Sequence, residues 1–276
     1  MTFSYARSYR GPIEAVLLDW AGTTMDFGCM APAVVFMEIY RRRKVPITIE
    51  EARAPMGAHK KVHIRQISEL ESVRRRWQEA HGRKPSEEDV DAMFAEFVPL
   101  QTACLSQYSK LIPGALQTVA ELRRRGVKIG STTGYLTEMM KINRDDAKRQ
   151  GYEPDSTVCA SDVPAGRPYP YMCLQNAINL QVTTVQACVK VDDTIPGVEE
   201  GLNAGMWTVG LAVSGNEVGM PLEDWQALPE QERSAKRSRA HARMRQCGAH
   251  YVVDTIAELM PCIDDIQERI HRGERP

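Results

Sequence analysis

Short apolar runs alternate with amphipathic stretches along most of the chain. The first run, Ile13-Glu14-Ala15-Val16-Leu17-Leu18, ends in Asp19 and the small residues Ala21-Gly22-Thr23-Thr24. That pattern predicts a buried parallel strand with a tight loop at its carboxyl end. From about 29 to 107 the texture changes to helical periodicity with almost no strand signal. Thr48-Ile49-Glu50-Glu51 has the form of a capping box, and Ser86-Glu87-Glu88-Asp89 after Pro85 resembles one, so four or five helices are expected there. After Pro113-Gly114 helices and strands alternate. Helices are predicted at 115–125, 136–150, 169–180, 195–204, 221–246 and from 254 onward. Strands are predicted at 127–132, 156–159, 187–191, 207–213 and 250–253. Strands separated by helical segments imply an α/β fold: a Rossmann-like parallel sheet core with helices on both faces. The division expected is a core of residues 1–26 and 108–276 with an inserted helical cap domain at 27–107. Ligands of such sheets bind outside the carboxyl ends of the strands.

Composition narrows the functional classes. The chain has 276 residues, with 35 Lys and Arg against 36 Asp and Glu, and 43% hydrophobic residues. That suffices for a sizeable core and argues against disorder. The balanced charge argues against a generally basic nucleic-acid binder. Arg233, Lys236, Arg237, Arg239, Arg243 and Arg245 form the densest basic stretch, yet acids lie nearby and no recognition motif or stacking aromatic accompanies them, so no nucleic-acid partner is expected. No apolar run approaches the ~20 residues of a membrane span, so no membrane association is expected. Arg7 and Arg10 precede no apolar stretch of the kind a secretory leader carries. The seven cysteines form an odd set without a C-x-x-C pair, which fits reduced thiols in a cytoplasmic protein.

The polar residues at the predicted strand ends are where chemistry is to be sought. They are Asp19, then Thr132 and Thr133, then Arg167, then Asp192-Asp193. Singly, each has a bland explanation. An Asp after a strand serves as a turn or cap residue, Asp192-Asp193 before Thr194 can cap the next helix, and Arg167 before Pro168 can be a solvated loop residue. In order, at successive strand ends, they suit a phosphoryl group held with Mg²⁺: carboxylates for the metal, a guanidinium and a hydroxyl for the phosphoryl oxygens, and Asp19 as a nucleophile. Neither a Gly-x-x-x-x-Gly-Lys-Ser/Thr loop nor a G-x-G-x-x-G fingerprint occurs.

This ordered set resembles the haloacid dehalogenase superfamily over essentially the whole chain. More narrowly, Asp19-Trp20-Ala21-Gly22-Thr23-Thr24, Gly130-Ser131-Thr132-Thr133-Gly134-Tyr135, Pro164-Ala165-Gly166-Arg167-Pro168-Tyr169-Pro170 and Asn203-Ala204-Gly205-Met206-Trp207 are similar to segments of the phosphonoacetaldehyde hydrolase family, as is Pro55-Met56-Gly57-Ala58-His59-Lys60. The resemblance implies hydrolysis of a small phosphonate, phosphonoacetaldehyde, to acetaldehyde and phosphate by an Mg²⁺-dependent homodimer. It implies Asp19, the Ala21 carbonyl and Asp193 as metal ligands, and Lys60 as a Schiff-base lysine. Thr133, Gly134, Arg167, Met56, Tyr135, His63 and Cys29 would border the substrate.

Ala21 bears on the reaction. Ordinary phosphatases of the superfamily carry a second Asp there as general acid, whereas an alanine offers only its carbonyl. A carbon leaving group needs another device, because a bare carbanion is prohibitively costly to expel. An imine formed on a lysine supplies an electron sink, provided the amine is partly neutral; desolvation or nearby positive charge would lower its pKa. His63, three residues on from Lys60, shares its helix face and would either shuttle protons or face solvent. Met56, Cys29 and Tyr135 have packing roles as the alternative. An His59–His63 zinc pair lacks a third ligand. One departure stands out: some members place an acid four residues after Asp193, where this chain has Gly197, and Asp192 is the candidate to compensate at the metal. A phosphatase of the same superfamily acting on another substrate is the competing enzymatic reading, against which Ala21 and Lys60 both speak.

Overall fold

The computed structural model describes residues 8–276. Residues 1–7, including Arg7 of the segment read as lacking a leader, lie outside the described part. The chain opens with β1 (Ala15–Leu18) and then runs through five helices without a strand: α1 (Met30–Arg42), α2 (Ile49–Arg53), α3 (Lys60–Glu69), α4 (Glu71–His81) and α5 (Glu87–Cys104). Alternation follows, with α6 (Ala115–Arg124), β2 (Lys128–Thr133), α7 (Thr137–Arg149), β3 (Ser156–Cys159), α8 (Tyr171–Asn179), β4 (Cys188–Asp192), α9 (Ile195–Asn203) and β5 (Trp207–Leu211). The chain closes with α10 (Leu222–Ala227), α11 (Glu230–Gln246), β6 (Tyr251–Val253) and α12 (Leu259–His271).

All six strands are parallel, in the order β3-β2-β1-β4-β5-β6. β1 is therefore central, and the strand order reverses between β1 and β4. The crevice at that reversal opens at the carboxyl ends of the two strands that carry Asp19 and Asp192-Asp193. β1, β4 and β5 are buried along their whole lengths. This is why they read as continuous apolar runs rather than as alternating ones.

Both capping boxes form: Thr48 and Glu51 at the start of α2, Ser86 and Asp89 at the start of α5. Phe36, Ile39 and Tyr40 of α1 pack with Ile64 and Ile67 of α3, Trp77 of α4 and Phe97 of α5 into a core continuous with the sheet's own. Entry into α1 depends on Asp26, whose two carboxylate oxygens accept the backbone N–H groups of Met30 and Ala31 at 3.0 Å each. Two predicted elements differ. The helical stretch at 221–246 is broken in two, because Pro229 disfavours helical geometry at Leu228, which is extended. The last helix starts at Leu259 rather than 254, after a single turn capped by Thr255. Among the described residues no helix is long and apolar enough to cross a membrane.

Candidate active site

β1 delivers Asp19 to the crevice, and its amide donates to Val191 O at 3.1 Å, tying the two central strands together beyond the sheet ladder. The next loop folds tightly because Thr23, Thr24 and Met25 all donate their amides to Trp20 O. That turn holds the Ala21 carbonyl beside the carboxylates, where it accepts from Cys29 Sγ at 3.0 Å. Thr133 and Gly134 lie at the end of β2, and Arg167 reaches in from the loop after β3.

Arg167 is buried and engaged on one edge only. Its Nη2 contacts Asp19 Oδ1 at 2.5 Å, Asp192 Oδ2 at 3.0 Å and Thr132 Oγ1 at 2.9 Å, and its Nε contacts Glu200 Oε2 at 3.2 Å. Asp192 is saturated: Oδ1 accepts from the Thr194 amide at 3.0 Å and hydroxyl at 2.7 Å, and Oδ2 faces Lys190 Nζ at 2.8 Å. Asp193 instead accepts from the Asn216 amide at 2.8 Å, with Thr23 Oγ1 and Cys29 Sγ at 3.3 Å each. Burial, reinforced by the Asp19 and Asp192 charges, pushes the Asp193 carboxyl well above the usual carboxylate range. Burial also raises Asp19, against the pull of Arg167, whereas Arg167 and Lys190 outweigh burial at Asp192 and hold it low.

From the helical insertion, α3 begins at Lys60 with His59 as its cap, His59 Nδ1 accepting the Lys61 amide at 3.3 Å. Lys60 is 4% exposed, and its Nζ stands over the Tyr135 ring at 4.8 Å and the Phe36 ring at 5.9 Å. Burial lowers its pKa to about 8, helped by the Arg167 charge and opposed by Cys29, Asp19 and Asp26. The segment before α3 seats directly on the sheet crevice. A Cβ on Gly57 would lie 2.5 Å from Thr194 Oγ1, so only glycine fits that seam.

One small pocket of about 30 Å³ is bordered together by Asp19, Ala21, Cys29, Met56, Lys60, Thr133, Gly134, Tyr135 and Arg167. Nine of the residues singled out from the sequence thus share one space. Asp193 stands behind them, within reach of Asp19. A larger groove of about 890 Å³ runs between α3 and the loop 160–169; of the charged cluster only Arg167 borders it.

His63 is placed differently from both expectations. It neither faces solvent nor borders the cavity: it is fully buried, stacked on Phe36 with ring centroids 3.8 Å apart, and its Nε2 pairs with Ala52 O at 2.8 Å. Burial, with the Lys60 charge second, keeps it well below the ordinary histidine pKa, so it is neutral. Lys61 points away to Asp91 in an ion pair. The Gly197 departure has a steric cause. A Cβ there would lie 2.0 Å from Asp192 Cγ, so Asp192 occupies the space another side chain would need. Both Asp192 oxygens accept from Thr194, Lys190 or Arg167, and the same carboxylate stands with Asp19 and Asp193 in one cluster.

The donor set fits a divalent cation. Asp19, Asp192 and Asp193 offer carboxylate oxygens within 4.8 Å of one another. Asp19, Asp192 and Glu200 pair with the buried cations Arg167 and Lys190, and Asp193 stands beside them outside those pairs. Clustered hard oxygen donors, crowded enough to raise the Asp193 carboxyl, are what such an ion takes. Lys190 and Glu200 were not singled out from the sequence. The available signal was a lysine inside the otherwise apolar Cys188–Asp192 strand.

This arrangement can polarise a phosphoryl group, attack it with a carboxylate and present an amine of reduced basicity to a carbonyl. A profile of haloacid dehalogenase-like hydrolases matches residues 13–205, and the chain belongs to that family of hydrolases. Its relatives narrow the placement. It is 48% identical to a phosphonoacetaldehyde hydrolase of Hahella chejuensis, over all of this chain and 94% of the other. It is 49% identical to the phosphonoacetaldehyde hydrolase of Klebsiella pneumoniae, over 96% of this chain and 99% of that one. The crystal structure of a phosphonoacetaldehyde hydrolase like protein from Oleispira antarctica superposes with a TM-score of 0.97 at 46% identity, each chain covered completely. Within the superfamily, the chain falls in the phosphonoacetaldehyde hydrolase group.

Proposed function

We propose that the protein cleaves the carbon–phosphorus bond of phosphonoacetaldehyde, yielding acetaldehyde and phosphate. Residues 27–107 act as a helical cap over a core of residues 1–26 and 108–276. One observation carries the reading: an amine of lowered basicity, Lys60, and the Asp19–Arg167 pair border the same small pocket.

The chemistry follows from what a carbon leaving group requires. The neutral Lys60 amine adds to the aldehyde, water departs, and the resulting imine takes a proton to become an electron sink. An Asp19 oxygen attacks phosphorus, the C–P electron pair becomes a new C=C bond while the C=N pair moves onto the Lys60 nitrogen, and an enamine and an aspartyl-phosphate result. Water then takes the phosphoryl group from Asp19. The enamine is protonated on carbon, and hydrolysis of the imine releases acetaldehyde and frees Lys60. Arg167, Thr133 and Gly134 bind phosphoryl oxygens. Met56, Cys29 and Tyr135 wall the aldehyde end, while His63 acts at a distance, by holding α3 and hence Lys60. Asp19, the Ala21 carbonyl and Asp193 would hold Mg²⁺, which when bound would supply positive charge against the phosphonate oxygens.

A space of about 30 Å³ has room for about one or two waters. The cap must therefore lift to admit substrate, and its return excludes water from the imine-forming step. The enzyme is read as a cytoplasmic homodimer. Borohydride reduction in the presence of acetaldehyde, followed by peptide mapping, tests the reading. Modification at Lys60 supports it; modification elsewhere, or none, contradicts it.

A further inference from the structure

We infer that Glu200 and Lys190, two buried residues outside the cavity, are positioning residues that hold Arg167 so that one of its nitrogens is kept for the phosphoryl group. This rests on the reading of Arg167 as the phosphoryl-binding guanidinium.

Every polar contact of Arg167 uses Nε or Nη2: Nε to Glu200, and Nη2 to Asp19, Asp192 and Thr132. Nη1 takes none of them, and Arg167 borders both the small pocket and the larger groove. An arginine side chain has several rotatable bonds, and a phosphoryl contact needs the plane of its guanidinium fixed. Glu200 is the group that fixes it, because it alone contacts Nε, and its Oε2 accepts from Thr132 Oγ1 at 3.2 Å as well. Thr132 in turn accepts from Lys190 Nζ at 2.6 Å and Arg167 Nη2 at 2.9 Å, which uses the full hydrogen-bonding capacity of its hydroxyl.

Lys190 serves a second need. Asp19, Asp192 and Glu200 together place three carboxylates against Arg167 in a buried setting. With Lys190 Nζ at 2.8 Å from Asp192 and 3.6 Å from Glu200, part of that charge is matched before Arg167 is counted. Lys190 therefore shares Asp192 and Glu200 with Arg167, whose Nη1 stays uncommitted to them. The packing is specific to this end: a Cβ on Gly201 would lie 2.6 Å from Lys190 Cβ, so α9 closes on the lysine stem only because Gly201 follows Glu200.

The test is competitive inhibition of the Mg²⁺-loaded enzyme by inorganic phosphate, read beside borohydride trapping of acetaldehyde on Lys60. In Glu200→Ala, the phosphate inhibition constant and the KM for phosphonoacetaldehyde should each rise about tenfold or more, the scale of one lost charge-assisted contact. Trapping at Lys60 should stay within about twofold of wild type, which a collapse of the fold would not allow. Glu200→Gln keeps an acceptor oxygen but loses the charge, so it should fall between the two, and it carries the test if the alanine variant does not fold. Phosphate inhibition unchanged in Glu200→Gln and Glu200→Ala overturns the inference. Absence of trapping in the wild type overturns the Lys60 reading instead.

Discussion

The pH dependence of imine formation at Lys60 follows from where the amine is buried. An ordinary lysine titrates near 10.4, so at pH 7 only a few parts in ten thousand of it are neutral. With its pKa at about 8, Lys60 is about one-tenth neutral at the same pH. The difference corresponds to a few hundredfold more nucleophile and to roughly 3 kcal/mol of preference for the neutral form. Burial is the leading cause, and the rings of Tyr135 and Phe36 oppose it, since an aromatic face favours the cation. A divalent cation bound at Asp19 and Asp193 acts in the same direction as burial. The assay is the rate of borohydride-trapped adduct with acetaldehyde between pH 6 and pH 10. The rate should climb about tenfold per pH unit below pH 7 and level off near pH 8. A rate still rising steeply above pH 9, as for a surface amine, would refute the argument. Lys61, paired with Asp91 on the outside of α3, is the internal control that should remain unmodified.

Other consequences follow from the same geometry. Gly197→Ala forces Asp192 off Lys190, Arg167 and Thr194, because the new Cβ would lie 2.0 Å from Asp192 Cγ; breaking those buried pairs should cost about 3 kcal/mol in urea unfolding. Asp193→Asn should stabilise the metal-free protein by about 1 kcal/mol, since it removes one of several crowded carboxylates, and should abolish the rise in Tm that Mg²⁺ produces in the wild type. His63→Ala should cost about 3 kcal/mol by emptying the space beside Phe36. Since the folded-state pKa of His63 lies well below its unfolded value, its contribution is fully present above about pH 6.5 and is lost as pH falls further. Wild-type Tm should therefore drop below pH 6.5 more steeply than that of His63→Phe.

How much of this was legible in the chain differs from residue to residue. The central strands announced themselves because burial on both faces leaves apolar runs, and each polar residue ending such a run was conspicuous. That is how Asp19 and Asp193 could be read together from positions far apart in sequence, with Thr133 at the end of β2 and Arg167 in the loop after β3. The helical insertion was visible as a change of period. Its registration against the sheet was not, since nothing in Gly57 or Ala58 says that this turn lies on Thr194. His63 shows the limit of periodicity. Spacing puts it on the Lys60 face of α3, but what stands opposite, Phe36, depends on how α1 packs. Gly197 looked like a missing acid and is instead the space taken by Asp192. Lys190 and Glu200 were hidden for a related reason. One lies inside a strand and the other inside a helix, and only the approach of α9 to β4 makes them neighbours. Pro229, by contrast, was in plain view, and the prolines' usual effect on the preceding residue divides α10 from α11.

The central claim is that one lysine and one carboxylate in a shared cavity cleave a carbon–phosphorus bond. Acetaldehyde release from phosphonoacetaldehyde with Mg²⁺, measured for the wild type and for Lys60→Arg, addresses it most directly. The account predicts turnover by the wild type and a loss of about a thousandfold or more in the variant, whose guanidinium keeps the charge but forms no imine. A folded, Mg²⁺-loaded wild type that releases no acetaldehyde, or a variant that releases it at the wild-type rate, would contradict it.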